Sequence, residues 1–463
     1  MKHDSGIAVN TRHLRRLGAA LGLIAAVAFA ALHGTAIGQA PAVPYPKQEL
    51  YKPTPVPDRT ILTPSGDPAT QQSVNWRTDA TVTTPQAQLA KTGGGPAFKN
   101  SATTIVASSS EPVVGTLGYP AYFHTATFAD LKPETDYLYR VGDGTNWSEW
   151  FAFTTASDQD KPFSFIYYGD AQNDIREHVS RVFRRAFTDR PRASVLVHAG
   201  DLVNTAANDH EWGEWFHAAG FINGMVNTIA TPGNHEYTGT LLAPYWRRQF
   251  DWPDNGPQGT SPAHTALEGT VFHVDYQGVR FISLNSNLAA MADTAGKAQF
   301  LEVQATWLRK VLADNPNRWT VVTFHHPVWS NSAGRNNPEI RATWLPVFEE
   351  FNVDLVLQGH DHTYGRGRRA ADPTRPSDAG DGPVYVVSVS GPKMYEPSTQ
   401  NWSENGGEVR KQARDTQLYQ LVDVTRGAIR YEARTATGHL FDGFVIHKDD
   451  AGRKTVVEDE DTQ

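Results

Sequence analysis

Five segments of the chain end an apolar run with residue types that bind metals. They are Gly169-Asp170, Gly200-Asp201, Gly233-Asn234-His235-Glu236, His325-His326-Pro327 and Gly359-His360-Asp361-His362. Carboxylate oxygen and imidazole nitrogen suit ions of the Fe, Mn and Zn group. A carboxylate such as Asp201 can bridge two ions. Two ions about 4 Å apart can hold a hydroxide and stabilise the attacking and leaving oxygens of a phosphoryl displacement. A lone Gly-Asp or Asn-His is common in turns and caps. Gly-His-Asp-His is more specific, because two imidazoles one residue apart are costly to bury without a partner. Five such sites in one chain describe a reaction centre. His210, His217, His264, His273, His439 and His447 have no such context and read as surface or core residues.

Elements that would position these residues can be read from the apolar runs. Strands are predicted at Phe163 to Tyr168, Ala193 to His198, Met225 to Ala230, Trp319 to Phe324 and Val353 to Leu357. Each motif therefore follows a strand, at the end where open α/β sheets bind ligands. Helical spacing marks Ile175 to Phe187, Glu211 to Phe221, Phe300 to Leu312 and Trp344 to Phe351, giving the β-α-β alternation of an α/β domain. Val271 to Tyr276 and Val279 to Leu284 read as a hairpin around Gln277-Gly278. Val384 to Val389, Tyr419 to Val424, Ile429 to Ala433 and Phe441 to His447 are strand-like and are expected to complete a second sheet. The glycines ahead of the motifs are expected to let the backbone turn off each strand. His360 and His362 are expected on one side of an extended segment, each free to serve a different ion.

The rest of the 463 residues divides by composition. Residues 1–40 read as an export signal, with basic Arg12, Arg15 and Arg16, an apolar Leu17 to Leu32 run and a small-residue cleavage site at Gly38-Gln39-Ala40. The expected location is periplasmic or secreted, with no membrane span in the mature chain. Residues 41–57 are a Pro-rich linker that should form neither helix nor central strand. Residues 58–156 read as all-β, with Tyr137, Tyr139 and Val141 on one strand face. Gly93-Gly94-Gly95 reads as a plain loop, since no helix-forming sequence follows. Residues 157–450 form the α/β domain, 372–382 a loop, and 451–463 an acidic tail with a frayed end. Removing Lys2, Arg12, Arg15, Arg16 and Asp4 with the leader takes the net charge from −8 to −11. So acidic a chain has no electrostatic footprint for nucleic acid. The absence of Cys excludes thiolate zinc sites, disulfides and Cys nucleophiles.

The order of the motifs resembles the calcineurin-type metallophosphoesterases, most closely the purple acid phosphatases, from about Phe163 to Gly391. The stretch Leu131-Lys132-Pro133-Glu134-Thr135-Asp136-Tyr137 is similar to the corner of a fibronectin type III sandwich. The resemblance implies a four-layer α-β-β-α sandwich behind an all-β domain, two metal ions (Fe, Mn or Zn) and a small phosphoester substrate. It implies Asp170 and His362 as ligands of the first ion, Asp201 as the bridge, and Asn234, His325 and His360 as ligands of the second. His235 matches the residue that contacts phosphate and protonates the leaving group, with Glu236 as its expected partner. Gln172 is read as a ligand or as a hydrogen-bond donor to a ligated water. His326, Arg335 and Arg366 are candidates for phosphate contacts, Arg366 alternatively for an internal carboxylate. Purple acid phosphatases carry a colour-giving Tyr three residues after the bridging Asp; here Asn204 stands there, read as a weak, neutral ligand or as a residue behind the ligands, and the colour is not expected. The implied function is hydrolysis of phosphate monoesters. A phosphodiesterase or nucleotidase on the same centre and a non-catalytic surface-binding protein are the alternatives.

Overall fold

The computed structural model describes residues 45–371 and 381–459. The export signal, most of the 372–382 loop and residues 460–463 lie outside the described residues. Two large sheets organise the α/β region. In the first, the parallel strands Phe163–Tyr168, Val195–His198 and Asn227–Ala230 are neighbours. In the second, Trp319–Thr323, Leu355–Gln358 and Val384–Val387 are parallel neighbours. The Phe272–Tyr276 and Val279–Ser283 strands add a hairpin to that sheet, turning at Gln277 and Gly278 with φ of 45° and 85°.

Strand alternation explains the layering. Phe163 and Phe165 face the second sheet, where their rings meet Tyr276 (4.9 Å) and Phe281 (5.2 Å). Tyr168 points the other way, onto Phe183 of the Ser180–Asp189 helix (4.4 Å). In the second sheet, Val321, Leu355 and Leu357 join the core between the sheets. Val322, Phe324 and Val356 pack outward on Phe300, Leu308, Trp344 and Val347 of the Thr294–Ala313 and Pro338–Glu350 helices. Burying each such side chain contributes roughly 1.5–3 kcal/mol. The result is the expected helix-sheet-sheet-helix order.

Four expectations change. Of the four late strands expected in the second sheet, only Val384–Val387 joins it; Leu418–Val424 pairs with Phe163–Tyr168 and carries Ala428–Thr435 and Leu440–Lys448 into the first. Period-two patterning makes a strand but does not choose its partner. The acidic tail contains an edge strand, Lys454–Glu458, whose Lys454 ammonium is buried against the carbonyls of Asn352 (2.8 Å) and Val353 (2.6 Å). The linker holds a one-turn helix, Lys47–Leu50, begun by the Pro46 carbonyl; proline disfavours helix interiors but is tolerated at their starts. A 3-10 turn, Pro96–Ser101, follows the glycine triplet, with no residue buried.

The all-β region is joined to the α/β region by its backbone. Strand Asp58–Thr63 pairs in parallel with Asn227–Ala230 and antiparallel with Gln72–Asp79, so one twelve-stranded sheet runs through both. Tyr137, Tyr139 and Val141 are buried on one face, and the Tyr137 hydroxyl accepts the Lys132 N–H at 3.0 Å.

Candidate metal centre

All five motifs leave their strands on one edge of the two facing sheets. Asp170, Asp201 and Asn234 come from the first sheet, and His325, His360 and His362 from the second. The sheets are stitched at this edge. The Ser390 and Gly391 N–H groups donate to the Asp170 carbonyl at 2.9 and 2.6 Å, and His360 N–H donates to Asp170 Oδ1 at 2.6 Å. The glycines serve mainly this close approach. A Cβ on Gly359 would lie 2.2 Å from Asp170 Oδ1, and one on Gly169 would lie 1.9 Å from the Ser388 carbonyl. Only Gly200, at φ 88°, also needs its conformational freedom among the glycines that precede the motifs.

The segment from His360 to His362 is not extended. His360 has φ 77° and His362 φ 49°, and Asp201 has φ 51°. Left-handed conformations cost side-chain-bearing residues on the order of 1–3 kcal/mol and cluster at functional sites. Asp361, between the two histidines, is buried and accepts the Asn331 N–H, while its carbonyl accepts Ser332 Oγ at 2.8 Å. The Asn331 loop therefore fixes a turn that sends the histidines to different places.

Two donor sets result, sharing Asp201: Asp201 with His325 and His360, and Asp170 with Asp201 and His362. Within each, the donor atoms lie within 4.8 Å of one another. In the first set, Asn234 Oδ1 is 2.9 Å from His360 Nδ1 and 3.2 Å from His325 Nε2, and Asp201 Oδ2 is 3.1 Å from His325 Nε2. In the second, Asp170 Oδ2 is 3.3 Å from His362 Nε2. The inward nitrogens are set by backbone. His325 Nδ1 donates to the Ala199 carbonyl (2.8 Å) and His362 Nδ1 to the Lys393 carbonyl (3.0 Å). That turns each Nε2 inward, the arrangement that orients imidazole ligands.

The donor chemistry fits a pair of cations. Asp170 Oδ2 and Gln172 Oε1 are buried and have no hydrogen-bond partner among the described residues. Buried polar atoms are normally paired. Burial pushes the Asp170 carboxyl up, with His325 opposing and the neighbouring Asp201 charge adding to the rise. Burial would raise Asp201 too, but His325 and then His235 outweigh it and hold Asp201 below the usual carboxylate range. Cations at these donor sets would relieve both the facing acceptors and the paired carboxylates.

The remaining candidates divide. Gln172 belongs to the second set: its Nε2 lies 3.1 Å from Asp201 Oδ2 and 2.8 Å from His362 Nε2. Asn204 turns its amide to Thr205 Oγ1 (3.4 Å) and reaches the centre through its carbonyl, which accepts His235 Nδ1–H at 2.6 Å. Glu236 is not the partner of the His235 ring. It is fully buried and accepts the N–H groups of Asp201 (2.9 Å), Leu202 (2.8 Å), Val203 (3.2 Å) and Gly233 (2.7 Å), tying two motif loops together. His326 lies at a tilt beside His360, ring centres 4.3 Å apart, and bonds Ser286 Oγ through Nδ1 (2.9 Å). Arg335 donates to the His360 carbonyl at 2.6 Å. Arg366 takes its alternative role: it is buried and binds Asp442 (2.7 and 2.9 Å) and Glu458 (2.6 Å), not the centre. Lys393 and Tyr395 escaped the sequence reading. The Tyr395 ring lies 4.8 Å from His362, with Arg335 4.9 Å and Lys393 5.5 Å from its centre. No local spacing marked that loop. A cavity of about 1380 Å³ along the Thr294–Ala313 helix shares no residue with the centre.

Comparison with known proteins finds two matching regions. Residues 57–155 match the purple acid phosphatase N-terminal domain, and residues 163–364 match the calcineurin-like phosphoesterase family. The chain thus carries a region matching the calcineurin-like phosphoesterases behind one matching the purple acid phosphatase N-terminal domain. It is 27% identical over 329 residues to an uncharacterized protein of Mycobacterium tuberculosis, covering 64% of this chain and 60% of that one. It is 28% identical to acid phosphatase type 7 of Danio rerio, over 53% of this chain and 57% of that one. The matches thus span about 60% of the curated relatives' own length. A purple acid phosphatase from yellow lupin (Lupinus luteus) seeds shares the fold, with a TM-score of 0.67 at 17% identity, over 86% of this chain and 75% of that one.

Proposed function

We propose that this chain is an exported phosphatase that hydrolyses phosphate monoesters at a dinuclear metal centre. The observation that carries the proposal is the pair of donor sets sharing Asp201, with Asp170 Oδ2 and Gln172 Oε1 buried at one of them without a hydrogen-bond partner among the described residues. Asn234, His325 and His360 would hold one ion, Asp170 and His362 the other, and Asp201 both. Ions of the Fe, Mn and Zn group suit these oxygen and nitrogen donors. Bound there, they supply charge neutralisation and activation of a water for attack on phosphorus.

The chain's own groups do the rest. Asp201 is held from behind by its N–H bond to Glu236 and accepts the His235 N–H at 2.8 Å, so the bridge cannot swing. His235 keeps its Nδ1 proton on the Asn204 carbonyl, which leaves Nε2 to carry a proton to the departing alcohol. Arg335 and Lys393, flanking Tyr395, place positive charge beside the second donor set. Export is supported by the basic, apolar and small-residue order of residues 1–40. Among the described residues, no helix is long and apolar enough to cross a membrane.

The test is phosphate release from an aryl monoester and from the corresponding diester. Monoester turnover should vanish with a chelator, return with added metal, and be absent in Asp201→Asn. Full activity in Asp201→Asn, or turnover of the diester alone, would refute the proposal.

A further inference from the structure

We infer that Glu211 is a positioning residue for His235, and that the all-β region anchors the helix that carries it. The inference rests on the reading of His235 as the proton donor to the leaving group. Glu211 lies in the first turn of the Asp209–Ala219 helix. Its Oε2 accepts the N–H groups of Asn204 (2.7 Å) and Thr205 (2.8 Å), and its Oε1 accepts Asn208 Nδ2 (2.8 Å). The Thr205 N–H and the Asn204 carbonyl belong to one planar peptide unit. Glu211 thus holds one side of a rigid plate whose other side, the Asn204 carbonyl, takes the His235 Nδ1 proton at 2.6 Å. Turning that plate moves the one acceptor that the imidazole ring bonds among the described residues.

The helix itself is gripped from outside the α/β region. Asp209, two residues before Glu211, is buried between two arginines of the all-β region. Arg59 reaches its Oδ1 at 2.7 Å and its carbonyl at 3.0 Å; Arg77 reaches its Oδ2 at 3.0 Å. Thr116 Oγ1 accepts the Asp209 N–H at 3.1 Å. Desolvated arginine-carboxylate pairs of this kind are rigid rather than strongly stabilising. The path from Arg59 and Arg77 through Asp209, Glu211 and the Asn204 peptide to His235 is continuous, each step a bond of 3.0 Å or less or a shared helical turn or peptide plane.

A proton donor matters most when the leaving group is poor. A misplaced catalytic group can cost about 100-fold. Glu211→Ala should therefore lower kcat on an alkyl phosphate about 10- to 100-fold and on 4-nitrophenyl phosphate less than about 3-fold, with KM and metal content unchanged. Glu211→Gln keeps an acceptor oxygen for both N–H groups and should restore alkyl phosphate turnover to within about 3-fold of the parent. In a His235→Ala background Glu211→Ala should cost nothing more. If Glu211→Ala does not fold, Glu211→Asp, one methylene too short to reach both N–H groups, takes its place in the same cycle. Equal losses on both esters, no loss on either, or a further loss in the His235→Ala background would overturn the inference while leaving the phosphatase reading standing. A parent protein that hydrolyses neither ester would instead remove the phosphatase reading and the inference together.

Discussion

His325 and His198 are both fully buried near strand ends on the same edge of the molecule, yet their surroundings differ. His325 bonds a backbone carbonyl through one nitrogen and turns the other to Asp201, Asn234 and His360. His198 lies among the rings of Tyr168 (5.1 Å), Phe183 (5.6 Å) and Trp215 (5.3 Å), and neither of its nitrogens has a hydrogen-bond partner among the described residues. Burial alone therefore does not mark a ligand. One tethered nitrogen and one nitrogen converging with other donors do.

Substitutions can break this contrast. His325→Ala removes an inward donor. Since loss of a partner behind a ligand already costs about 10–100-fold, it should lower phosphatase activity more than about 100-fold, measured as phosphate release. His198→Phe should leave activity and metal content unchanged. A comparable loss in both variants would erase the distinction.

The same pair should separate by pH. Burial lowers His198 to about 3 from an ordinary value near 6.5. The unfolded chain then binds more protons than the native one below pH 6.5, so stability is full above that value and falls as pH drops toward 3. From pH 7 to pH 5 His198 alone should cost about 2 kcal/mol. Denaturant melts of the parent and of His198→Phe should show a shallower acid loss in the variant; parallel curves would count against a neutral, unpartnered imidazole.

Smaller effects probe the second donor set. Gln172→Ala should weaken binding of one ion about 10-fold and leave the other unchanged, read by metal titration. Asn204 sends its side-chain amide to Thr205, so the metal-loaded protein should lack a visible charge-transfer band, and Asn204→Ala should leave the absorption spectrum as it was.

Much of this was legible in the chain because it is local. Asp170, Asp201, Asn234, His325, His360 and His362 each follow an apolar run within a few residues, and strand ends on one sheet edge meet whatever the details. What could not be read depends on partners far away in sequence. Glu236 was read as the neighbour of His235 but turns to Asp201, Leu202 and Val203. Arg366 meets Asp442 and Glu458, 76 and 92 residues on. The turn at His360 needed a left-handed backbone that no glycine announced, and it was fixed by Asn331 from another loop. Lys393 and Tyr395 reach the centre only because the Val384–Val387 strand lies beside Leu355–Gln358.

Elemental analysis of the purified protein after metal reconstitution tests the central claim most directly. Two ions per chain are expected in the parent, falling to one in both His360→Ala and His362→Ala. One ion or none in the parent, or two retained in both variants, would contradict a dinuclear centre built on these two donor sets.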